Sequence, residues 1–139
     1  MVIAKSYIPD AGDIVWLQFD PKAGREQAGH RPALVLSPIA YNAKTNLMLC
    51  CPLTTQIKSY PFEVVFTDGV TQSAVLADQL KSLDWKVRKA KFKSKISHQE
   101  MMVVKLKIKA LLGLLSSGIG TLVAKLLGPL SLQNLLIFN

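Results

Sequence analysis

Apolar positions along the chain fall into short runs separated by polar, turn-forming residues, and near residue 97 they switch to helical spacing. "DIVWLQFDP", residues 13–21, is rich in β-branched and aromatic side chains and reads as a first strand ended by Pro21, before a polar loop that reaches His30. "RPALVLS" is a second apolar run, "YNAKTN" reads as a turn, and "LMLCCPLTT" is a third run. "FEVVF", an Asp68-Gly69 turn, "AVLADQL" and the basic "KVRKAKFKSK" follow. Five or six short strands with brief polar connections predict a small closed or nearly closed barrel. "SHQE" then sets Ser97 and Glu100 at capping-box spacing, and Met101, Val104, Ile108 and Leu111 recur at helical intervals up to Gly113. The fold expected is mainly β with one amphipathic C-terminal helix.

From Leu114 the pattern changes again: "LLSSGIGTLVAKLLGPLSLQNLLIFN" carries a single charge, Lys125. Leu115, Ile119, Leu122 and Leu126 can form a helical stripe that Gly128-Pro129 would stop. The run from Ala110 to Ala124 is shorter than the roughly 20 apolar residues of a membrane span. Further helix packed on the barrel or on a second subunit is the plainer reading, with a tail from an altered reading frame or peripheral membrane contact as rivals. The chain thus divides into a domain over residues 1–113 and an apolar extension over 114–139.

Its 139 residues suffice for one domain with a real core, and 50% apolar content excludes disorder of the whole. A formal net charge of +8 points to an anionic partner: nucleic acid, an acidic protein or a membrane surface. The first residues lack the pattern of a secretory signal, which makes the cytoplasm the expected compartment. Cys50 and Cys51 are neighbours in a strand, so their side chains face opposite ways and no framework disulfide is expected. Two cysteines and two distant histidines offer no zinc spacing, and neither metal nor cofactor is expected.

Several blocks stand together in one order: "YIPDAGDIVWLQFDP", "EQAGHRPALVLSP", "YNAKT", "TTQIKSYPFEV" and "VLADQLKSLDW". With these blocks, residues 7–113 resemble the MazF branch of the MazF/PemK ribonuclease toxins. The resemblance implies an SH3-like barrel with a terminal helix, usually a homodimer. It also implies an endoribonuclease that cuts single-stranded RNA at short sequences, ACA-like in the most similar relatives, and is held inactive by a cognate acidic antitoxin. The family's pattern ends near Gly113, so the extension departs from it.

Metal-independent RNA cleavage uses the substrate's own 2′-hydroxyl as nucleophile and yields 2′,3′-cyclic phosphate and 5′-hydroxyl ends. The protein must then move protons and stabilise charge on the phosphorane oxygens. Arg31 offers a planar fork of donors suited to two phosphate oxygens and is assigned to the transition-state phosphate. Glu26 and His30 are of residue types suited to proton transfer, and either can take the 2′-proton while the other orients base or substrate. Thr54 matches a family active-site position, and its hydroxyl can donate to the scissile phosphate; Thr55 is its competitor on residue type alone. Gly29, without a side chain, lets the backbone approach RNA beside Arg31.

For RNA contact, Lys58, Tyr60 and Phe62 combine a cation with stacking surfaces in one loop. Between Lys86 and Lys95, alternation would bring Lys89, Lys91, Lys93 and Lys95 onto one face able to track phosphates. A lysine-protected edge strand explains the same run, and the two readings are compatible. Trp16 is expected in the core or at a dimer interface. The rival function is a non-catalytic toxin or binding module on the same barrel, acting on a topoisomerase or on nucleic acid, because a fold does not fix a function.

Overall fold

The computed structural model describes residues 6–18 and 30–114. Among these residues, seven strands and two helices follow in chain order: β1 (Asp13–Gln18), β2 (His30–Val35), α1 (Ile39–Thr45), β3 (Leu47–Thr54), β4 (Glu63–Asp68), β5 (Thr71–Leu76), β6 (Lys81–Asp84), β7 (Lys91–Lys95) and α2 (His98–Leu111). The strands make one antiparallel, curled sheet in the order β4-β5-β3-β2-β1-β7, with β6 also laddered to β3. The expected β-rich barrel with a C-terminal helix is therefore what the chain forms. The end of the first strand at Pro21 and the whole extension from residue 115 lie outside the described residues. None of the described helices is long and apolar enough to cross a membrane.

Strands β1, β2 and β3 are covered on both faces. Ile14, Leu34, Cys51 and Leu53 point into a core shared with Val64, Phe66, Val75 and, from α2, Met101 and Val104. Val15, Leu17, Ala33, Val35, Met48 and Cys50 form a second core on the other side, closed by Trp85 and flanked by Tyr7, Ile8 and Leu83. The alternation of a strand thus sends Cys50 to one core and Cys51 to the other, as the sequence requires, and both thiols are free.

The second core is pinned by a buried amide. Asn42 of α1 donates to the carbonyls of Pro9 (2.8 Å) and Ser37 (3.0 Å) and accepts from the Ser37 hydroxyl (2.6 Å). The Trp85 indole donates to the Asn42 carbonyl at 2.9 Å, and the Leu49 amide donates to the Ser37 hydroxyl at 2.8 Å. Asn42, through its amide and its backbone carbonyl, and Ser37, through its hydroxyl, thereby fasten the N-terminal segment, α1, β3 and the residue-85 turn together.

Three local readings need correction. "YNAKTN" is not a turn: Pro38, already extended, precedes a short helix, and Asn46 closes it in the left-handed region at φ 62°. The helix lacks a side-chain cap at its start, so its usual sequence signal is missing. "AVLADQL" is not one strand. Chain order breaks at Leu76, turns through residues 77–80 and resumes as β6 along the same edge of β3. "KVRKAKFKSK" begins as turns, with Lys89 at φ 52°, and becomes a strand only at Lys91. A bulge on β7 sets Ser94 against Ile14 and Phe92 against Val15, which leaves Lys93 out of the pairing and breaks the lysine alternation.

At the helix, Ser97 accepts from the Glu100 amide and the Glu100 carboxylate accepts from Ser97, completing the expected capping box. Met101 and Val104 are buried, Ile108 is half-buried and Leu111 is exposed, so the apolar stripe fades toward the C-terminal end.

Asn42→Ala strips three hydrogen bonds from fully buried partners and should lower the unfolding free energy by about 2–4 kcal/mol. Urea denaturation followed by tryptophan fluorescence measures this, and a loss below about 0.5 kcal/mol would remove the amide from its structural role.

Candidate active site

The rim of the sheet where β2 begins and β3 ends carries the proposed chemistry. His30 and Arg31 open β2, both exposed, opposite Gln18 and Leu17 of β1. Neighbouring strand residues face opposite ways, so His30 and Arg31 leave β2 on different sides. The β2–β3 ladder sets Ala33 against Pro52, Leu34 against Cys51 and Val35 against Cys50. Carried two residues further, that register runs Arg31 toward Thr54, and the even step keeps both on the face that Ala33 and Pro52 share. Because β2 and β3 are antiparallel neighbours, the strand start that carries Arg31 and the strand end that carries Thr54 lie at the same end of the sheet. Glu26 and Gly29 lie outside the described residues.

Thr54 is half-buried and still laddered to Ala74 of β5. Its hydroxyl oxygen accepts from the Gln56 amide at 3.1 Å, which turns the chain at the strand end and leaves the hydroxyl proton to be donated outward. Thr55, its competitor, is exposed and lies one residue past the end of β3.

Beyond Thr54 the chain folds around the carboxylate of Glu63, which the sequence presents only as one residue of the run "FEVVF". Glu63, 7% exposed, accepts the backbone N–H groups of Lys58 (3.1 and 3.3 Å) and Tyr60 (2.8 Å), while its own N–H donates to the Tyr60 carbonyl at 2.9 Å. Ser59, between the two held amides, takes φ 57°. The only sequence signal was an acid at an inward position of "FEVVF". The hydroxyl of Tyr60 is hydrogen-bonded to Asp78, and burial followed by that negative charge raises the phenol's pKa. Lys58 stays exposed. A depression of about 200 Å³ lies between Thr54, Gln56, Lys58, Tyr60 and Asp78.

Phe62 does not offer a stacking surface. Its side chain is 2% exposed, and its ring supports that of Tyr60 from 5.8 Å at a tilt of 48°. Proline at 61 and the strand that starts at Glu63 turn residue 62 inward, so the apolar ring goes to the protein and the amphipathic one to the surface.

The basic run also differs from a single cationic face. Lys93 is paired with Asp68 of β4 and lies 5.4 Å from the centroid of the Trp16 ring, whereas Lys95 reaches Asp13 at 3.3 Å. Lys89 and Lys91 are exposed, the first in the turn and the second at the start of β7. Trp16 is not in the core: 37% of it is exposed, under the Lys93 ammonium. Burial pushes the thiols of Cys50 and Cys51 up to about 11 and about 12, so both remain protonated near neutrality.

The sequence matches the family model of the PemK-like, MazF-like toxin of type II toxin-antitoxin systems over residues 10–112. It is 51% identical over 107 residues to the endoribonuclease toxin MazF of Escherichia coli K12, across 77% of this chain and 96% of that one. Against the endoribonuclease PemK of Escherichia coli the identity is 36% over 88 residues, 59% of this chain and 65% of that one. Among solved structures, MazF from Deinococcus radiodurans superposes with a TM-score of 0.68 at 50% identity, covering 78% of this chain and 99% of that one. A MazE-MazF structure from the same organism gives 0.71 at 48% identity, over 78% and 100%. Sequence and fold agree over the same stretch, and the chain belongs to the PemK-like, MazF-like toxin family of type II toxin–antitoxin systems.

Proposed function

We propose that the protein is a toxin that cuts single-stranded RNA within short sequences, without a metal ion, and is neutralised by a cognate acidic antitoxin. The observation that carries the reading is the common rim of Arg31 and Thr54 on adjoining strands, in a chain 51% identical to a protein named as an endoribonuclease toxin. The toxin acts on mRNA in the cytoplasm, as a homodimer. Exposed apolar side chains at Ile39, Tyr41, Leu47 and Leu49 on α1 and β3 favour a second copy.

In the reaction the ribose 2′-oxygen attacks the adjacent phosphorus and the bond to the 5′-oxygen breaks, leaving a 2′,3′-cyclic phosphate and a 5′-hydroxyl. Glu26 or His30 takes the 2′-proton, and a proton is returned to the departing 5′-oxygen. Arg31 meets two phosphorane oxygens with its fixed fork of donors, and the Thr54 hydroxyl supplies a third, uncharged donor. Both gain strength as charge collects on those oxygens, so they favour the transition state over the bound substrate. Lys58 and Tyr60 hold the unstacked strand by charge and ring, Gly29 admits the RNA backbone, and Lys89 and Lys91 draw on its phosphates. A net charge of +8 serves both partners: it attracts RNA and speeds capture by an acidic, extended antitoxin segment.

The test is mapping of cleavage ends on a long mixed-sequence RNA in EDTA, with antitoxin removed. Cyclic phosphate and 5′-hydroxyl ends at a recurrent short sequence support the reading; RNA bound but left intact favours the binding module instead. Arg31→Ala should lower kcat/KM by about 10³-fold or more, roughly 4 kcal/mol, and Thr54→Ala by about 10–10²-fold, with binding of an uncleavable 2′-deoxy analogue largely kept. For Lys58→Ala, RNA binding should weaken at every sequence. The slope of log affinity against log salt should fall by about 0.7, measured by fluorescence anisotropy between 50 and 200 mM salt.

A further inference from the structure

Glu63 and Lys107 make a buried connection between α2 and the loop beside Thr54 that the proposed chemistry does not itself use. Lys107 lies on α2, 8% exposed, among residues that otherwise serve the core. Its ammonium donates to the backbone carbonyl of Glu63 at 2.8 Å. The same residue's carboxylate turns the other way and collects the amides of Lys58 and Tyr60. Burying a lysine and a glutamate in a small domain is costly, and an apolar pair would serve the core better. Burial lowers the Lys107 pKa, opposed by the negative charge of Glu63.

We propose that Glu63, anchored from α2 by Lys107, is a positioning residue for RNA: it sets the 58–60 loop so that the Lys58 ammonium and the Tyr60 ring meet the strand beside Thr54. The inference rests on the endoribonuclease reading and deepens it. Three features argue for positioning over mere packing. A carboxylate has no donors, so Oε1 accepts from both amides and Oε2 shares that of Lys58, where a glutamine would set an NH₂ against the Lys58 N–H. Ser59 sits at φ 57°, a conformation an L-residue adopts at a cost and keeps only where its surroundings hold it, and the two captured amides flank it. Tyr60 is fixed at its other end through Asp78, and its ring rests on Phe62. Backbone, ring and hydroxyl of residue 60 are thus all held before any ligand arrives, which spares the ordering cost on binding.

Because the loop binds and does not react, its loss should appear in KM. Glu63→Gln is expected to raise KM for a short RNA oligonucleotide, and Kd for its uncleavable 2′-deoxy analogue, by about tenfold. Its kcat should stay within about threefold of wild type. Glu63→Asp, which keeps the carboxylate, should recover at least part of that loss. Lys107→Met should raise KM in the same direction and by less, since it frees the anchor and leaves the carboxylate in place. Hydrogen exchange read at the Lys58 and Tyr60 amides should quicken at least tenfold in Glu63→Gln while β2 and β3 amides keep their protection, which separates a released loop from an unfolded domain. A folded Glu63→Gln with unchanged KM, or one that loses kcat alone, overturns the inference and leaves the nuclease reading intact. A wild-type protein that leaves RNA uncut overturns both.

Discussion

Strands β1, β2 and β3 carry apolar side chains on both faces, and this double burial is the constraint from which the rim takes its shape. In a sheet with one wet face, a slip of one residue would throw charges into the core, and the hydrophobic pattern alone would forbid it. Here a slip exchanges Cys50 for Cys51 or Leu34 for Val35, and apolar pattern is a weak guard. Register is held instead by groups that cannot move: the Asn42 amide between Pro9 and Ser37, the Ser37 hydroxyl on the Leu49 amide, and the Gly12 amide on the Val35 carbonyl. Arg31 and Thr54 sit at the other end of those same strands, where β2 begins and β3 ends.

The rim then works by division of labour. On the proposed reading, strand ends fix the groups that meet the phosphate, and the loop after Thr54 carries those that meet the rest of the strand. A loop ordinarily has the freedom to be a poor platform. Glu63 removes much of that freedom from beneath, and Asp78 takes the tyrosine hydroxyl from the side. Acidic groups so near an anionic substrate look contrary. Their lone pairs, however, are occupied by backbone amides and a phenol, while Lys58 faces solvent.

Much of this was legible in the sequence where one short-range rule decides. Strand alternation separates two adjacent cysteines, Ser97 and Glu100 announce a helix start, and an Asp-Gly pair marks the β4–β5 hairpin. The blocks around Arg31 and Thr54 carried the family. What was not legible depends on partners distant in sequence. The bulge opposite Ile14 and Val15 cannot be foreseen from lysine spacing, and the burial of Phe62 beside an accessible Tyr60 is settled by which ring the core has room for. Helix α1 escaped notice because seven residues without a side-chain cap resemble a turn until Asn42 is seen to be buried. Glu63 was hidden by its setting, an acid inside an apolar run whose partners precede it by three and five residues.

Among the described residues the curled sheet does not close its ladder: β4 and β7 stand at its two ends, and across the gap the Lys93 ammonium meets the Asp68 carboxylate. That hydrogen bond holds the Asp68 carboxyl below its usual range, so the stabilisation is complete above the ordinary aspartate pKa and drains away as acid carries the solution through the depressed value. The cylinder is therefore fastened along that side by a clasp of side chains. Acid or concentrated salt loosens this hem before it touches the weave, and the barrel gapes there first while the cores behind it stay shut.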